Sequence, residues 1–315
     1  MIKVEKLRKN YGNVEAVKSI SFEIQDGEIV GFLGANGAGK STTLKVMTGY
    51  LTPTSGNVYV DDLNIIDDYI KIQSSIGYLP ELNPLYTDMR VYDYLKFIAA
   101  MRGLDGEKFQ SAFQKVVSQC SIEKVTHKNI SECSKGFKQR IGLASAIIHD
   151  PKILILDEPV SGLDPNQIVE IRELIKTLGK EKIVIMSSHI LQEIEATVDR
   201  IIIINEGEIV ADGTPDKIVG GSQGKCKLEL EISGANVKDF RLMGKSIKNM
   251  NILDISRKKS VIESTIEYDK SSDPREQIFH YVKENGWVIL KMNPVSDNLE
   301  DVFRDLTSTS ELSHE

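Results

Sequence analysis

The segment GANGAGKST, from Gly34 to Thr42, restricts the fold of this chain more than any other stretch. It fits the pattern G-x-x-x-x-G-K-[ST], follows an apolar run at residues 29–33 and precedes a predicted helix at residues 41–48. Glycines allow the backbone to wrap closely around phosphate oxygens, and the first N–H groups of a helix attract an anion. The segment therefore predicts a phosphate-binding loop between a strand and a helix of an α/β domain.

Individual residues of this loop have predicted tasks. The ammonium of Lys40 would reach the β- and γ-phosphates of a nucleotide, and the hydroxyl of Ser41 would bind Mg²⁺. The full set of predicted nucleotide contacts in the loop is Gly34, Asn36, Gly37, Gly39, Lys40, Ser41 and Thr42. A chance glycine-rich turn is the alternative, and the flanking strand and helix argue against it.

A second motif, KILILDEP at residues 152–159, places two carboxylates at the end of an apolar strand. Asp157 would lie at the carboxyl edge of the sheet, where open α/β folds bind ligands, and could hold Mg²⁺ through water. Glu158 is placed to polarise an attacking water as a general base. The alternative is a solvated turn, which the presence of the phosphate loop disfavours.

The distribution of apolar residues divides the chain into regions. The runs EIVGFLG, KILILDE and KIVIMSS predict the buried centre of a mostly parallel sheet. Alternation with two turns over residues 2–28 predicts an antiparallel edge subdomain. Helical periodicity replaces the strands between about residues 80 and 150, which indicates a helical insertion. We therefore predict an α/β nucleotide-binding domain over residues 1–221.

The carboxyl-terminal region predicts a second, smaller domain over residues 222–315. The glycine- and serine-containing segment TPDKIVGGSQGK, residues 214–225, indicates a linker. Predicted strands at 225–232, 250–256, 260–268 and 287–292, with helices near 236–243 and 274–285, follow the order of a ferredoxin-like α+β unit. A last helix is predicted from Asn298 to Leu306. This domain could regulate the chain, strengthen a dimer or be a passive appendage.

Charge and composition limit the classes of function. The 315 residues carry a formal net charge of −7, which argues against a general nucleic-acid binder. The three cysteines, Cys120, Cys133 and Cys226, form no C-x-x-C pair, which favours a reducing cytosolic compartment. No apolar run approaches the roughly 20 residues that span a bilayer. If the chain works at a membrane, a separate protein must cross that membrane.

Over about its first 215 residues, the chain resembles an ATP-binding subunit of an ABC transporter. Beside the two motifs above, the resemblance rests on the signature S-G-G at a helix start, present here as Ser134-Lys135-Gly136, with Cys133 in place of the usual leucine. The resemblance implies a P-loop ABC ATPase domain that binds ATP and Mg²⁺. It also implies that two chains pair head to tail, so that an exposed Ser134 and Gly136 close over the partner's ATP.

The same resemblance implies roles for further residues. Tyr11 would stack on adenine with Val17 beside it; a turn tyrosine packed on the edge sheet is the alternative. His189 would contact the γ-phosphate and position the water, unless it only caps a helix, and Asp164 in SGLDP would link the two sites of the dimer. Glu81 stands where most members have glutamine, and its carboxylate would reach Mg²⁺ with an altered dependence on that ion.

The implied function is that of a motor subunit of the exporter type, closest to the gliding-motility-associated branch. Its expected partners are a membrane permease and a second ATPase subunit, in a homodimer or heterodimer, with no nucleic acid. Its expected place is the cytoplasmic, inner face of the cell membrane. The apolar and aromatic residues of segment 82–94 would dock the permease or pack the helical insertion itself.

Two rival functions fit the sequence less well. A soluble ABC ATPase that acts on nucleic acid or ribosomes usually carries two cassettes or a long insertion, whereas this chain has one phosphate loop and no basic face. A binding module that has lost hydrolysis would have Lys40 or Glu158 replaced, and both are present. The expected reaction is therefore in-line attack of water on the γ-phosphate, without a covalent intermediate.

Overall fold

The computed structural model describes residues 1–220, 225–269, 271–295 and 299–308. The chain divides after Pro215 into two compact units. The boundary that the sequence predicts between residues 221 and 222 lies outside the described residues, as does Asn298, the predicted first residue of the last helix. None of the helices within the described ranges combines the length and the apolar character needed to cross a membrane.

The first unit contains two sheets and seven helices among its described residues. Its strands are β1 (Ile2–Tyr11), β2 (Val14–Ile24), β3 (Ile29–Leu33), β4 (Ser55–Val60), β5 (Leu63–Asn64), β6 (Ile76–Leu79), β7 (Ile153–Asp157), β8 (Ile183–Ser188), β9 (Arg200–Asn205) and β10 (Glu208–Gly213). Its helices are α1 (Lys40–Met47), α2 (Tyr69–Ser75), α3 (Val91–Met101), α4 (Gly106–Gln119), α5 (Lys135–Ile147), α6 (Pro165–Gly179) and α7 (Leu191–Glu195).

The larger sheet brings the ends of three central strands together. Its order is β10-β9-β3-β8-β7-β6, with parallel pairing throughout except at the edge strand β10. Every residue of β3, β7 and β8 is buried, as their apolar sequences predict for strands covered on both faces. Because these strands are parallel neighbours, the segments that follow them lie side by side at one edge.

The smaller sheet is the antiparallel subdomain that the sequence predicts. Its order is β2-β1-β4-β5, and all of its strand pairs are antiparallel. Residues of both sheets share one hydrophobic core, in which the rings of Phe22 on β2 and Phe32 on β3 lie 5.5 Å apart. This packing fixes the antiparallel sheet next to the strand that leads into the phosphate loop.

A helical region separates β6 from β7. Residues 80–150, all of which the structure describes, contain α3, α4, α5 and two short 3₁₀ turns but no strand of either sheet. Tyr92 on α3 packs edge-on against Phe109 and Phe113 on α4, with ring centroids 5.6 and 5.0 Å apart. Helix α5 begins after Ser134, whose side chain accepts a hydrogen bond from the backbone N–H of Phe137.

The second unit is a four-stranded sheet with helices. Its elements are α8 (Pro215–Gly220), β11 (Lys225–Ser233), α9 (Val237–Ser246), β12 (Met250–Lys258), β13 (Val261–Asp269), α10 (Arg275–Glu284), β14 (Val288–Val295) and α11 (Leu299–Ser308). The sheet order is β12-β13-β11-β14 with antiparallel pairing, the arrangement of a ferredoxin-like unit. Its core contains Leu228, Phe240 and Ile266. Part of the predicted linker is instead helix α8, since Pro215 and Asp216 favour a helix start.

His149, which follows α5, predicts a dependence of stability on pH. One ring nitrogen, Nε2, lies 3.1 Å from the carbonyl oxygen of Ile76, and the other is buried without a hydrogen-bond partner in the described structure. Burial, assisted by the charge of Arg102, lowers the pKa of His149 to about 4. The unfolded chain binds this proton more readily, so the free energy of unfolding should fall as the pH drops from about 6.5 to about 4.

We expect a loss on the order of 1–2 kcal/mol over this range, after an allowance for partial exposure of the ring. Urea unfolding of the wild type and of His149→Gln at several pH values checks it. The glutamine retains a donor for Ile76 but does not titrate, so its stability should change less over the same range. Equal pH dependence of the two proteins would contradict the assignment.

Candidate functional site

The phosphate loop joins β3 to α1, and its glycines are required by close contacts. A Cβ on Gly34 would overlap the carbonyl oxygen of Ile204. At Gly39, where φ is +109°, a Cβ would lie 2.6 Å from the carbonyl oxygen of Ala16. Asn36 and Gly37 lie on the exposed side of the loop, whereas Ser41 and Thr42 are half-buried in the first turn of α1. The loop is thus a narrow backbone cradle, open on one side.

A turn after β9, which the sequence motifs do not include, holds this cradle in place. The N–H of Gly207 donates to the carbonyl oxygen of Ala38 over 2.9 Å, and the carbonyl oxygen of Gly207 accepts from the N–H of Lys18 over 2.7 Å. Gly207 has a φ of +81°, which favours glycine. The turn therefore connects β2 of the antiparallel sheet to the phosphate loop.

Lys40 is a buried cation at the start of α1. Its side chain is only 6% exposed, and Nζ donates to the carbonyl oxygens of Gly34 over 2.7 Å and Ala35 over 3.2 Å. Burial lowers the pKa of Lys40, an effect that the charges of Glu158, Asp157 and Glu81 oppose. A phosphate in the cradle would therefore meet an ammonium that is already oriented by the loop.

Asp157, at the end of β7, forms a buried cluster of oxygen atoms with two serines. Its Oδ1 accepts hydrogen bonds from Ser41 Oγ over 3.1 Å and from Ser187 Oγ over 2.6 Å. A serine hydroxyl beside a carboxylate fits Mg²⁺, which is commonly bound by one or two protein groups together with substrate phosphates. No group of three histidine, cysteine, aspartate or glutamate side chains that could hold a metal is present in the described residues.

Glu158 and His189 form a pair beside this cluster. His189 Nδ1 lies 2.9 Å from Glu158 Oε2; the glutamate is buried, whereas the histidine is half exposed. The N–H of Glu158 donates to Ser187 Oγ over 3.0 Å. The predicted base and the predicted γ-phosphate contact are therefore neighbours. Ser187 was not predicted, although the sequence SSH after an apolar strand was available as a signal.

The residues of the predicted signature lie at the start of α5. Ser134 is exposed, as expected, and caps the helix. Gly136 is buried, which corrects the expectation of an exposed residue: the amide of Gln167 on α6 covers it, and an added Cβ would lie 2.5 Å from Gln167 Nε2. Gln167 also donates its backbone N–H to the carboxylate of Asp164 over 2.9 Å. The signature and the Asp164 loop are thus connected through Gln167.

The remaining predicted residues lie in three environments. Tyr11 ends β1 and is 48% exposed, with Lys9 Nζ 5.6 Å from the ring centroid. Val17 has no exposed surface, because β2 turns it into the hydrophobic core, and its predicted place beside the adenine-stacking Tyr11 stays a prediction. Glu81 is exposed just after β6, and its negative charge partly offsets the lowering of the pKa of Lys40 by burial. Asp164 is exposed and caps α6.

Comparison with known proteins places these features in context. Residues 17–161 match the family model described as ABC transporter. The bacitracin transport ATP-binding protein BcrA of Enterococcus faecalis is 32% identical, over 97% of this chain and 96% of that protein. The linearmycin resistance ATP-binding protein LnrL of Bacillus subtilis is also 32% identical, over 98% of each. A bacterial ABC transporter cassette solved as a dimer, MJ0796, is 25% identical with a TM-score of 0.63, over 68% of this chain and 98% of that one.

Proposed function

Because the chain belongs to the ABC transporter family of ATP-binding subunits, we propose that it is the ATPase motor of an exporter whose membrane-spanning part is a separate protein. The observation that carries this proposal is the convergence of four side chains at one edge of the parallel sheet. The four residues are Lys40, Asp157, Glu158 and His189. They combine a phosphate-binding cation, a metal-binding carboxylate and a paired base.

The pairing of Glu158 and His189 supports in-line hydrolysis of ATP. Water attacks the γ-phosphate, Glu158 accepts the proton, and ADP and phosphate are released. The contact with Glu158 orients the histidine ring, whose second nitrogen is then available to the γ-phosphate or the water. Mg²⁺, for which Ser41 and Asp157 fit, would neutralise charge on the phosphate oxygens.

A second copy of an ATPase subunit would complete the site. Ser134 is exposed at the first turn of α5, and a helix start attracts anions. We infer that it meets the γ-phosphate held by the partner, and that ATP favours the closed pair because it binds that state more tightly than the open one. The dimeric structure of the MJ0796 cassette supports this arrangement, and both a homodimer and a heterodimer fit.

The segment after Glu81 is the surface proposed for the permease. Leu82 is 87% exposed, and Tyr86 is exposed while its ring lies 5.7 Å from Phe97 and 5.9 Å from Tyr94. Tyr92, in contrast, packs inside the helical region. Some apolar residues of segment 82–94 therefore pack the helical insertion, and others are exposed and available to a permease. A permease bound at Leu82 and Tyr86 would lie next to Glu81. The negative charge of Glu81 in turn raises the pKa of Lys40 in the phosphate loop.

The cargo proposed from the relatives is an antimicrobial compound. The relatives named for bacitracin transport and linearmycin resistance are similar over nearly the whole chain, including the second unit. Assignment to the gliding-motility-associated branch stays a prediction from the resemblance of residues 78–86, 134–159 and 161–175. The proposed place of action is the inner face of the cell membrane, where a permease would hold the chain.

Fractionation of the source cells tests this function against the ribosomal rival. We expect the chain to sediment with membranes, and Leu82→Asp to shift it to the supernatant because a charge in an apolar contact opposes docking. Leu242→Asp, the same apolar-to-charged change at an exposed leucine of α9, is the matched control and should stay with membranes. Sedimentation of the wild type with ribosomes instead would contradict the transport role.

A further inference from the structure

Ser187 is a buried polar residue beside the site, and it does not belong to any of the sequence motifs. It is the next-to-last residue of β8, has no exposed surface and lies opposite Asp157 in the parallel ladder. Strand β8 runs between β3, which leads into the phosphate loop, and β7, which carries the two carboxylates. The serine therefore occupies the one strand that contacts both halves of the site.

A single hydroxyl contacts both acidic residues. Ser187 Oγ donates to Asp157 Oδ1 over 2.6 Å and accepts the N–H of Glu158 over 3.0 Å. A hydroxyl has one hydrogen to give, an ionised carboxylate can only accept, and a backbone N–H can only donate. The direction of both hydrogen bonds is therefore fixed, and neither partner can rotate without breaking one of them.

The contact with Glu158 stabilises an uncommon backbone conformation. Glu158 has a φ of +51°, in the left-handed region that residues with a side chain rarely adopt. Its N–H is buried and needs a partner, which Ser187 supplies. Strand β8 also leads to His189, which holds the carboxylate of Glu158. Both the backbone and the side chain of the base are thus held from β8.

The contact with Asp157 fixes the other carboxylate. Ser187 and Ser41 both donate to Oδ1 of Asp157, so the carboxylate is oriented toward the serine of the phosphate loop. Groups that hold a metal ligand in this way set its orientation and basicity. The same hydroxyl that supports the base therefore also orients the pair of residues that fit a cation.

We propose that Ser187 is a positioning residue for ATP hydrolysis, which sets the metal-binding carboxylate and the general base relative to each other through one hydroxyl. The inference rests on the proposed function of the site. Ser187 is fully buried and hydrogen-bonded to Asp157 and Glu158, so it acts through those two residues. Its loss should therefore affect the chemical step and the use of Mg²⁺ more than the binding of nucleotide.

Ser187→Ala in the full chain tests this inference. We expect kcat to fall about ten- to hundredfold, while KM for ATP changes less than about threefold. Binding of a fluorescent ATP analogue in EDTA should be unchanged, whereas the Mg²⁺ concentration for half-maximal hydrolysis should rise about tenfold. Ser187→Thr retains the hydroxyl and should recover most of kcat.

Ser188→Ala is the matched control, since Ser188 is equally buried in β8 and its hydroxyl accepts from the backbone N–H of Ile190. It should stay within about threefold of wild type in kcat and in the Mg²⁺ requirement. Losses in Ser187→Ala that equal those of this control, or an unchanged kcat, overturn the inference. Lys40→Ala in the same assay separates this inference from the proposed function. If Lys40→Ala is inactive, a negative result for Ser187→Ala rejects only the role of Ser187. If Lys40→Ala is active, the site itself is rejected.

Discussion

Lys40→Ala should abolish measurable ATP turnover and weaken nucleotide binding at least a hundredfold, because it removes the ammonium that faces the phosphates. Nζ is held by two loop carbonyls at the point where phosphate would bind, and three nearby carboxylates favour its charged form. Alanine leaves those negative charges facing the phosphates. Groups that stabilise phosphoryl transfer by charge contribute factors of about 10²–10³ or more.

The fold should survive this substitution. A buried ammonium carries a desolvation cost, which is the cause of the lowered pKa of Lys40, so its removal should leave the thermal midpoint within a few degrees of wild type. Lys45→Ala, at the other end of α1, is the matched control and should retain turnover. Unchanged hydrolysis in a folded Lys40→Ala protein would remove the assignment of the phosphate site.

Glu158→Gln should bind ATP yet hydrolyse it about a thousandfold more slowly. The amide has nearly the same shape but cannot accept a proton from the attacking water, and general bases contribute about 10²–10⁴-fold. Because ATP is not consumed, the closed pair of subunits should accumulate. Light scattering should then report about twice the mass of the 35.2 kDa chain when ATP and Mg²⁺ are present.

The matched control for this variant is Glu181→Gln, an exposed glutamate in the turn that precedes β8. It should turn over ATP like the wild type and show no ATP-dependent gain in mass. A Glu158→Gln protein that binds ATP but stays monomeric at micromolar concentrations would count heavily against a site shared between two copies. Normal hydrolysis by this variant would instead show that another group takes the proton.

The parts of the fold that can be predicted from the sequence are those that depend on patterns of contiguous residues. Apolar runs identified β3, β7 and β8 as buried parallel strands, and the glycine pattern placed the phosphate loop between β3 and α1. Both signals depend on contiguous residues. The parallel arrangement then brings the carboxylates and His189 to the same edge without further information from the sequence.

The missed features depend on residues that are distant in sequence. Gly136 is buried only because Gln167, on another helix, lies over it. Ser187 gains its importance only once β7 and β8 are neighbours, since the same serine in another strand order would contact neither carboxylate. Val17 is buried out of step with Ile20, Phe22 and Ile24, because a register shift in the pairing of β1 with β2 lies between Val17 and Ile20. Long-range pairing, not local propensity, determines each of these outcomes.

The hydrogen bonds of the turn at Gly207 determine which substitutions around the phosphate loop the fold can accept. Its two bonds run from main chain to main chain, one to β2 and one to the phosphate loop, so they do not depend on the side chains of Lys18 or Ala38. Mutations at those positions leave the tether intact, whereas any side chain at Gly207 would meet a left-handed backbone and the carbonyl of Ala16. We therefore expect the hydrogen-bonded link between the two sheets to require glycine at position 207, whereas the side chains at positions 18 and 38 take no part in it.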